Sequence, residues 1–176
     1  MSRRGSKSPP YRRQKYLCSA GELRFKKKLD EAIGDQFEVH MQVSVAAVLR
    51  VPAAEWKRWG VLVAPLRFDF VLVKRGTSFA AAAIELDDRT HLLPDRRKRD
   101  KFLNEACRLA DFPLIRVKAA QRYNVAELRE TVRAALPRGA TLSRPGDEPG
   151  KGKDGKPRGW TWKRGTKTAP SADQEL

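Results

Sequence analysis

Between Arg67 and Asp87 two apolar runs, FDFVLVK and AAAIELD, flank a short polar turn, Lys74-Arg75-Gly76-Thr77-Ser78. Apolar runs joined by a five-residue, glycine-containing connection predict a β-hairpin. The runs are interrupted by acids at Asp69, Glu85 and Asp87. A carboxylate inside an apolar strand is costly unless it is paired or holds a cation.

Strand geometry places those acids. Side chains alternate between faces, so Glu85 and Asp87 share one. If Val73 pairs with Phe79, Asp69 falls opposite Ala83 and diagonal to Glu85, roughly 7–8 Å apart at the backbone. Three anions so arranged raise one another's pKa unless a cation neutralises them. Hard oxygen ligands suit Mg²⁺ or Mn²⁺ rather than Zn²⁺. A slip of one residue would send Asp69 to the other face.

The alternation also divides the apolar residues. Phe68, Phe70, Leu72, Ile84 and Leu86 are expected opposite the acids, and Val71, Val73, Ala81 and Ala83 beside them. With both faces apolar, helices should cover both. The small alanines leave room for the first helix.

That helix is expected after Ser19, with Leu23, Phe25, Leu29, Ala32 and Ile33 at helical spacing. Glu22 has two compatible readings: partner of Ser19 in a capping box, or an acid pointing coreward on the stripe of Phe25, Leu29 and Ile33. Phe37 to Val45 alternates as a first strand, with Val39, Met41, Val43 and Val45 on one face and His40 and Gln42 on the other. Gln42 reads as an edge polar residue or as a group orienting a ligand or water. Pro52 to Trp59 suggests a short helix with Trp56 and Trp59 on one face, either packed on the domain or available to stack on nucleotide bases.

Beyond the hairpin, Asp95 is the expected N-cap of a helix running to about Ala110, with Leu103, Ala106, Cys107 and Ala110 buried. Its first turn, Arg96-Arg97-Lys98-Arg99, has the wrong sign for the helix macrodipole. A phosphate backbone would supply the missing anion; solvated surface cations are the alternative. PLIRV (113–117) predicts a buried strand, and Ala126 to Ala135 a last helix capped by Asn124.

The run "FDFVLV … AAIELDDRTH … DRRKRDKFLNEACRLADFPLIRVKA" resembles a bacterial family known as domain of unknown function 2726, over roughly residues 17–133. That family is similar to the PD-(D/E)xK nucleases, which include very-short-patch-repair-type and many restriction endonucleases. The resemblance implies an α/β fold: a restriction endonuclease-like α-β-β-β-α-β core, its mixed sheet flanked by helices. It also implies a phosphodiesterase site using Mg²⁺ or Mn²⁺. Asp69 takes the motif aspartate and Glu85 the motif glutamate, with the Leu86 carbonyl a further metal ligand. Asp87 stands where the family's lysine would position and activate the attacking water. Glu22 would sit beside the metal as auxiliary ligand or support. His91 would act as acid, base or phosphate contact, and Arg99-Asp100 matches the family's RD pair.

Charge points to the same partner. The formal net charge of +16 in 176 residues favours nucleic acid or another anionic surface. The hydrophobic fraction of 40% suffices for one domain, expected over residues 16–136, between a basic tail (1–15) and a Gly/Pro/Lys-rich tail (137–176). In the second tail Trp160 and Trp162 alternate with cations. The N-terminus lacks the apolar core of a signal peptide and no stretch is long enough to span a membrane, so a cytoplasmic protein is expected. Cys18 and Cys107 read as buried small hydrophobes, being too few for a disulfide framework and without zinc-site spacing. No Gly-rich phosphate loop or nucleophile elbow is present.

Three functions follow from this reading: a divalent-metal nuclease acting on DNA; a nucleic-acid-binding module that keeps the shell but has lost the chemistry; and a structural domain whose acids pair with Arg67, Arg89 or Arg99.

Overall fold

Ser19 starts the fold as a reciprocal cap. Its hydroxyl accepts from the Glu22 amide at 3.2 Å, and the Glu22 carboxylate accepts from the Ser19 amide at 2.6 Å. Both orphan donors are thereby satisfied, and α1 runs Ala20–Ile33. Phe25, Leu29, Ala32 and Ile33 are buried along it. Leu23, expected in that stripe, is 46% exposed, because two residues at ~100° each put it nearly opposite Phe25. The structure, a computed structural model, describes residues 10–87 and 94–136, the side chains of residues 94–96 excepted. All of these belong to the unit Met1–Leu142.

The molecule is a mixed α/β fold with four strands: β1 (Phe37–Ser44), β2 (Arg67–Lys74), β3 (Ala80–Asp87) and β4 (Leu114–Lys118). Their spatial order is β1-β2-β3-β4. The first three pair antiparallel and β4 pairs parallel to β3. Between β1 and β2 lie the short helix α2 (Val45–Val48), a 3₁₀ turn Ala53–Glu55, a π turn Trp56–Gly60 and the short helix α3 (Val61–Val63). The long helix α4 (Pro94–Leu109) carries the chain from β3 to β4, and α5 (Val125–Ala135) follows. Asn124 caps α5, its side-chain oxygen accepting from the Ala126 and Glu127 amides.

Helices cover both faces of the sheet. On one, α1 and α5 pack Phe25, Leu29, Ile33, Leu128 and Val132 against Phe70, Leu72, Ile84 and Ile115. On the other, Leu103 and Cys107 of α4 join Val45, Leu49 and Val63 against Val71 and Ala83. The face holding Ala83 is thus covered by α4 rather than α1.

Three local expectations are corrected. A bulge between Leu72 and Val73 shifts the hairpin register, so Val73 pairs with Ala80 and Val71 with Ala83. The extra residue also turns Ala81 into the α1 layer. Extending the pairing of Phe70 with Ile84 by one residue brings Asp69 level with Glu85, not Ala83. Second, Gln42 has a φ of 53°, the left-handed region that side chains rarely adopt. Beyond this point the strands change layers: Met41 and Phe70 pack with α1, while Val43 and Phe68 pack with the α4 layer. Third, α4 begins at Pro94, so Asp95 stands in its first turn instead of capping it, and proline occupies a position suited to its fixed φ.

Other differences are small. The expected helix Pro52–Trp59 is split into the 3₁₀ and π turns, with Pro52 outside as N-cap. Ala110 is exposed while Leu103 and Cys107 are buried. Cys18 is half-buried and Cys107 buried. No helix among the described residues is long and apolar enough to cross a membrane.

Candidate functional site

Asp69 and Glu85 occupy neighbouring strands and are tied together through the backbone. The Asp69 amide donates to Glu85 Oε1 at 3.3 Å, and the Leu86 amide donates to Asp69 Oδ2 at 2.9 Å. Each carboxylate therefore accepts an amide hydrogen from the neighbouring strand, Glu85 from Asp69 itself and Asp69 from the residue after Glu85. Such bonds fix both groups on rigid elements.

Among the described residues Glu85 is the polar side chain buried in the core, only 2% exposed. Its pKa is pushed up to about 7, first by burial and then by the charge of Asp69. The Asp69 amide, Arg99 and Arg116 pull in the other direction. The Arg99 guanidinium lies 3.9 Å from Glu85 Oε2, too far for a hydrogen bond and near enough to attract the ionised form. Cys107, on the facing side of α4, is pushed up to about 12 by burial and by the charge of Glu85. A thiol held so high is a packing group rather than a nucleophile.

The third acid does not complete a trio. Asp87 Oδ1 accepts from Arg116 Nη1 at 2.8 Å. Arg116 also donates to Asp100 at 3.3 Å and to the Asn104 side chain at 3.2 Å. This arginine, on β4, thus ties the end of β3 to two successive turns of α4. Among the described residues no group of three or more His, Cys, Asp or Glu side chains is placed to hold a metal. The expectation of three acids converging on one spot is corrected accordingly: Asp69 and Glu85 meet, and Asp87 is taken up by Arg116.

Two carboxylates still fit a hard divalent ion. Mg²⁺ keeps several waters and is commonly held by one or two carboxylates together with substrate phosphate. The donors are oxygens, which suit Mg²⁺ or Mn²⁺ and disfavour zinc. The ionised form of Glu85, disfavoured by burial and by Asp69 and only partly offset by Arg99, is what a cation would favour.

Glu22 closes the capping box expected of it and makes a second contact. Besides capping α1, its Oε1 accepts from Gln42 Nε2 at 2.9 Å. Gln42 stands level with Asp69, since its neighbours Met41 and Val43 pair with Phe70 and Phe68. The left-handed backbone of Gln42 is therefore located at the strand level of the acids, where strain often accompanies function. Arg97, Lys98 and Arg99 are exposed on the first turns of α4. His91 and Arg89 lie outside the described residues, as do the Arg96 side chain, Trp160 and Trp162.

Arg116, Asn104 and the backbone of Gln42 were not anticipated. Arg116 had a legible signal: it interrupts the apolar strand PLIRV just as Glu85 interrupts AAAIELD. Gln42 had none, because no local motif marks a left-handed glutamine.

An α/β domain carrying paired, backbone-held carboxylates on adjacent strands is thus the class of protein defined by the geometry. Residues 14–136 match the family described as Protein of unknown function (DUF2726), and the chain belongs to that family. No match was found among curated proteins or among solved structures.

Proposed function

We propose that this protein is a divalent-metal-dependent nuclease that hydrolyses phosphodiester bonds in DNA, with Asp69 and Glu85 as its metal-binding carboxylates. The observation that carries this reading is the level placement of the two acids on adjacent strands, Glu85 buried and both held by backbone amides. The order α1-β1-β2-β3-α4-β4 with a mixed sheet supports a restriction endonuclease-like core. In this reading the Leu86 carbonyl joins Asp69 and Glu85 around Mg²⁺ or Mn²⁺. An ion held by these residues would supply Lewis-acid chemistry at a phosphodiester and make water a better nucleophile.

The chain's own residues do the rest. Glu22 and Gln42 support the β1 side of the site, their hydrogen bond tying α1 to the strand position level with Asp69. Arg99, exposed and 3.9 Å from Glu85, would attract both that carboxylate and a phosphate brought to the site. Arg96, Arg97 and Lys98 grip the backbone without reading sequence. His91 serves as acid, base or phosphate contact. The place of action is the cytoplasm.

One observation favours a second reading, a nucleic-acid-binding module without catalysis. Asp87 occupies the motif lysine position and is bound to Arg116, so that position carries an acid engaged in structure in place of a cation. Plasmid and oligonucleotide cleavage with Mg²⁺, Mn²⁺ or EDTA separates the two. Metal-dependent cutting abolished by Asp69→Asn and Glu85→Gln supports the nuclease. Salt-sensitive DNA retention without cutting, unchanged in both variants, supports the binding module.

A further inference from the structure

The excursion between β1 and β2 displays an apolar surface that the acid site does not use. Trp56, Trp59, Val61 and Leu62 are 41%, 45%, 51% and 44% exposed, although the same segment sends Leu49 and Val63 into the core. Large side chains left outside an anchored segment mark an interaction surface. The two indoles are also restrained. A Cβ placed on Gly60 would lie 2.3 Å from the Trp56 ring, so the ring rests directly on the backbone of the π turn. The Arg58 guanidinium lies 4.9 Å from the centre of the Trp59 ring. Residues 46–66 carry the cations Arg50, Lys57 and Arg58 against the single acid Glu55.

We infer that Trp56 and Trp59, with Lys57 and Arg58, form a binding platform for unpaired nucleotide bases in single-stranded nucleic acid. Aromatic rings stack on base faces, and neighbouring cations meet the phosphates. In a duplex those faces are already stacked inside the helix, so exposed, restrained indoles select strands whose bases are open. Two cations set between two rings match a polyanion with flat apolar units better than they match a lipid interior. The inference deepens the proposal above by naming the form of the substrate. It rests on nucleic acid being the ligand, but not on catalysis by Asp69 and Glu85.

The test uses the full chain carrying Trp160→Phe and Trp162→Phe, so that Trp56 and Trp59 supply all tryptophan emission. Binding is measured in EDTA with an oligo(dT) strand and with a blunt duplex of equal length. The platform predicts emission quenching by the single strand. Trp59→Ala should weaken single-strand binding by about 5- to 150-fold and change duplex binding less than about 2-fold. Trp59→Phe should restore most of the loss, which separates stacking from misfolding. Equal losses for both DNA forms, or no loss for either, would overturn the inference. So would quenching by brominated phosphatidylcholine vesicles in place of oligo(dT), or concentration-dependent self-association abolished by Trp59→Ala. Because metal is absent, failure here leaves the cleavage assay of the acid site standing on its own.

Discussion

Replacing Glu85 by glutamine tests whether its charge is a burden that the fold carries for the sake of the site. Glutamine keeps an oxygen to accept from the Asp69 amide but cannot ionise. The carboxyl is raised from 4.5 to about 7 in the folded chain. At ~1.36 kcal/mol per pH unit, ionising it in place costs the folded state about 3 kcal/mol. The sign follows from proton counting. Between about pH 4.5 and 7 the folded chain binds more protons at this group than the unfolded chain, so stability falls as pH rises. Below that window the cost is absent; above it the cost is complete. Glu85→Gln should thus match the parent near pH 4.5 and exceed it by up to ~3 kcal/mol at pH 8, on the order of 10 °C in melting temperature. The attraction of Arg99 at 3.9 Å is already contained in that figure, since it holds the carboxyl lower than burial and Asp69 alone would.

The assay is urea unfolding of both proteins from pH 4.5 to 8.5, in EDTA and in excess Mg²⁺. All other titrating groups are shared, so the difference between the curves isolates Glu85. Parallel curves, with no widening between pH 5 and 7, would refute the reasoning. Mg²⁺ should stabilise the parent at pH 8 and leave the variant nearly unmoved, since only an ion that binds the folded state shifts the equilibrium. Equal stabilisation of both would place ion binding elsewhere.

Arg116→Met should cost about 1–2 kcal/mol, because Asp87 and Asp100 lose their shared cation at a partly exposed place. A double-mutant cycle with Asp87→Asn should show coupling of about 1 kcal/mol, and strict additivity in chemical unfolding would contradict it. Gln42→Gly should be about 1 kcal/mol more stable than Gln42→Ala, since glycine alone adopts the 53° φ without strain; calorimetry of the pair checks this. Phe25→Ala should cost about 3–5 kcal/mol, as the ring is fully buried with Phe70 at 5.2 Å and Tyr123 at 5.0 Å. A loss under 2 kcal/mol in urea would mean that the α1 layer collapses into the gap.

The parts of this fold written in local pattern were legible in the sequence. Ser19 with Glu22 announced the first cap, Asn124 the last, and alternation in FDFVLVK and AAAIELD announced the hairpin that brings Asp69 to Glu85. What was illegible depended on single backbone irregularities. The bulge at Leu72–Val73 and the left-handed Gln42 obey no composition rule, yet they reset the register and the layer of Ala81, Val43 and Phe68. Partner choice was also hidden: Arg67, Arg89 and Arg99 were the candidates to meet the acids, whereas Arg116, which binds Asp87, comes from β4, a neighbour set by tertiary pairing. Asp69 still reached the expected side because the register moved by an even number of residues.

The excursion that bears the tryptophans leaves and rejoins the sheet at one point, where the Val45 amide donates to the Leu66 carbonyl at 3.0 Å. A segment whose two ends are clasped in this way behaves as a replaceable cassette. Its length and outer residues are free to vary without re-registering β1 on β2, provided that the anchors Val45, Leu49 and Val63 are kept. Preference for a ligand and the chemistry performed on it would then be inherited separately, so a chimera carrying a foreign 50–62 segment should retain cooperative unfolding while changing what it grips.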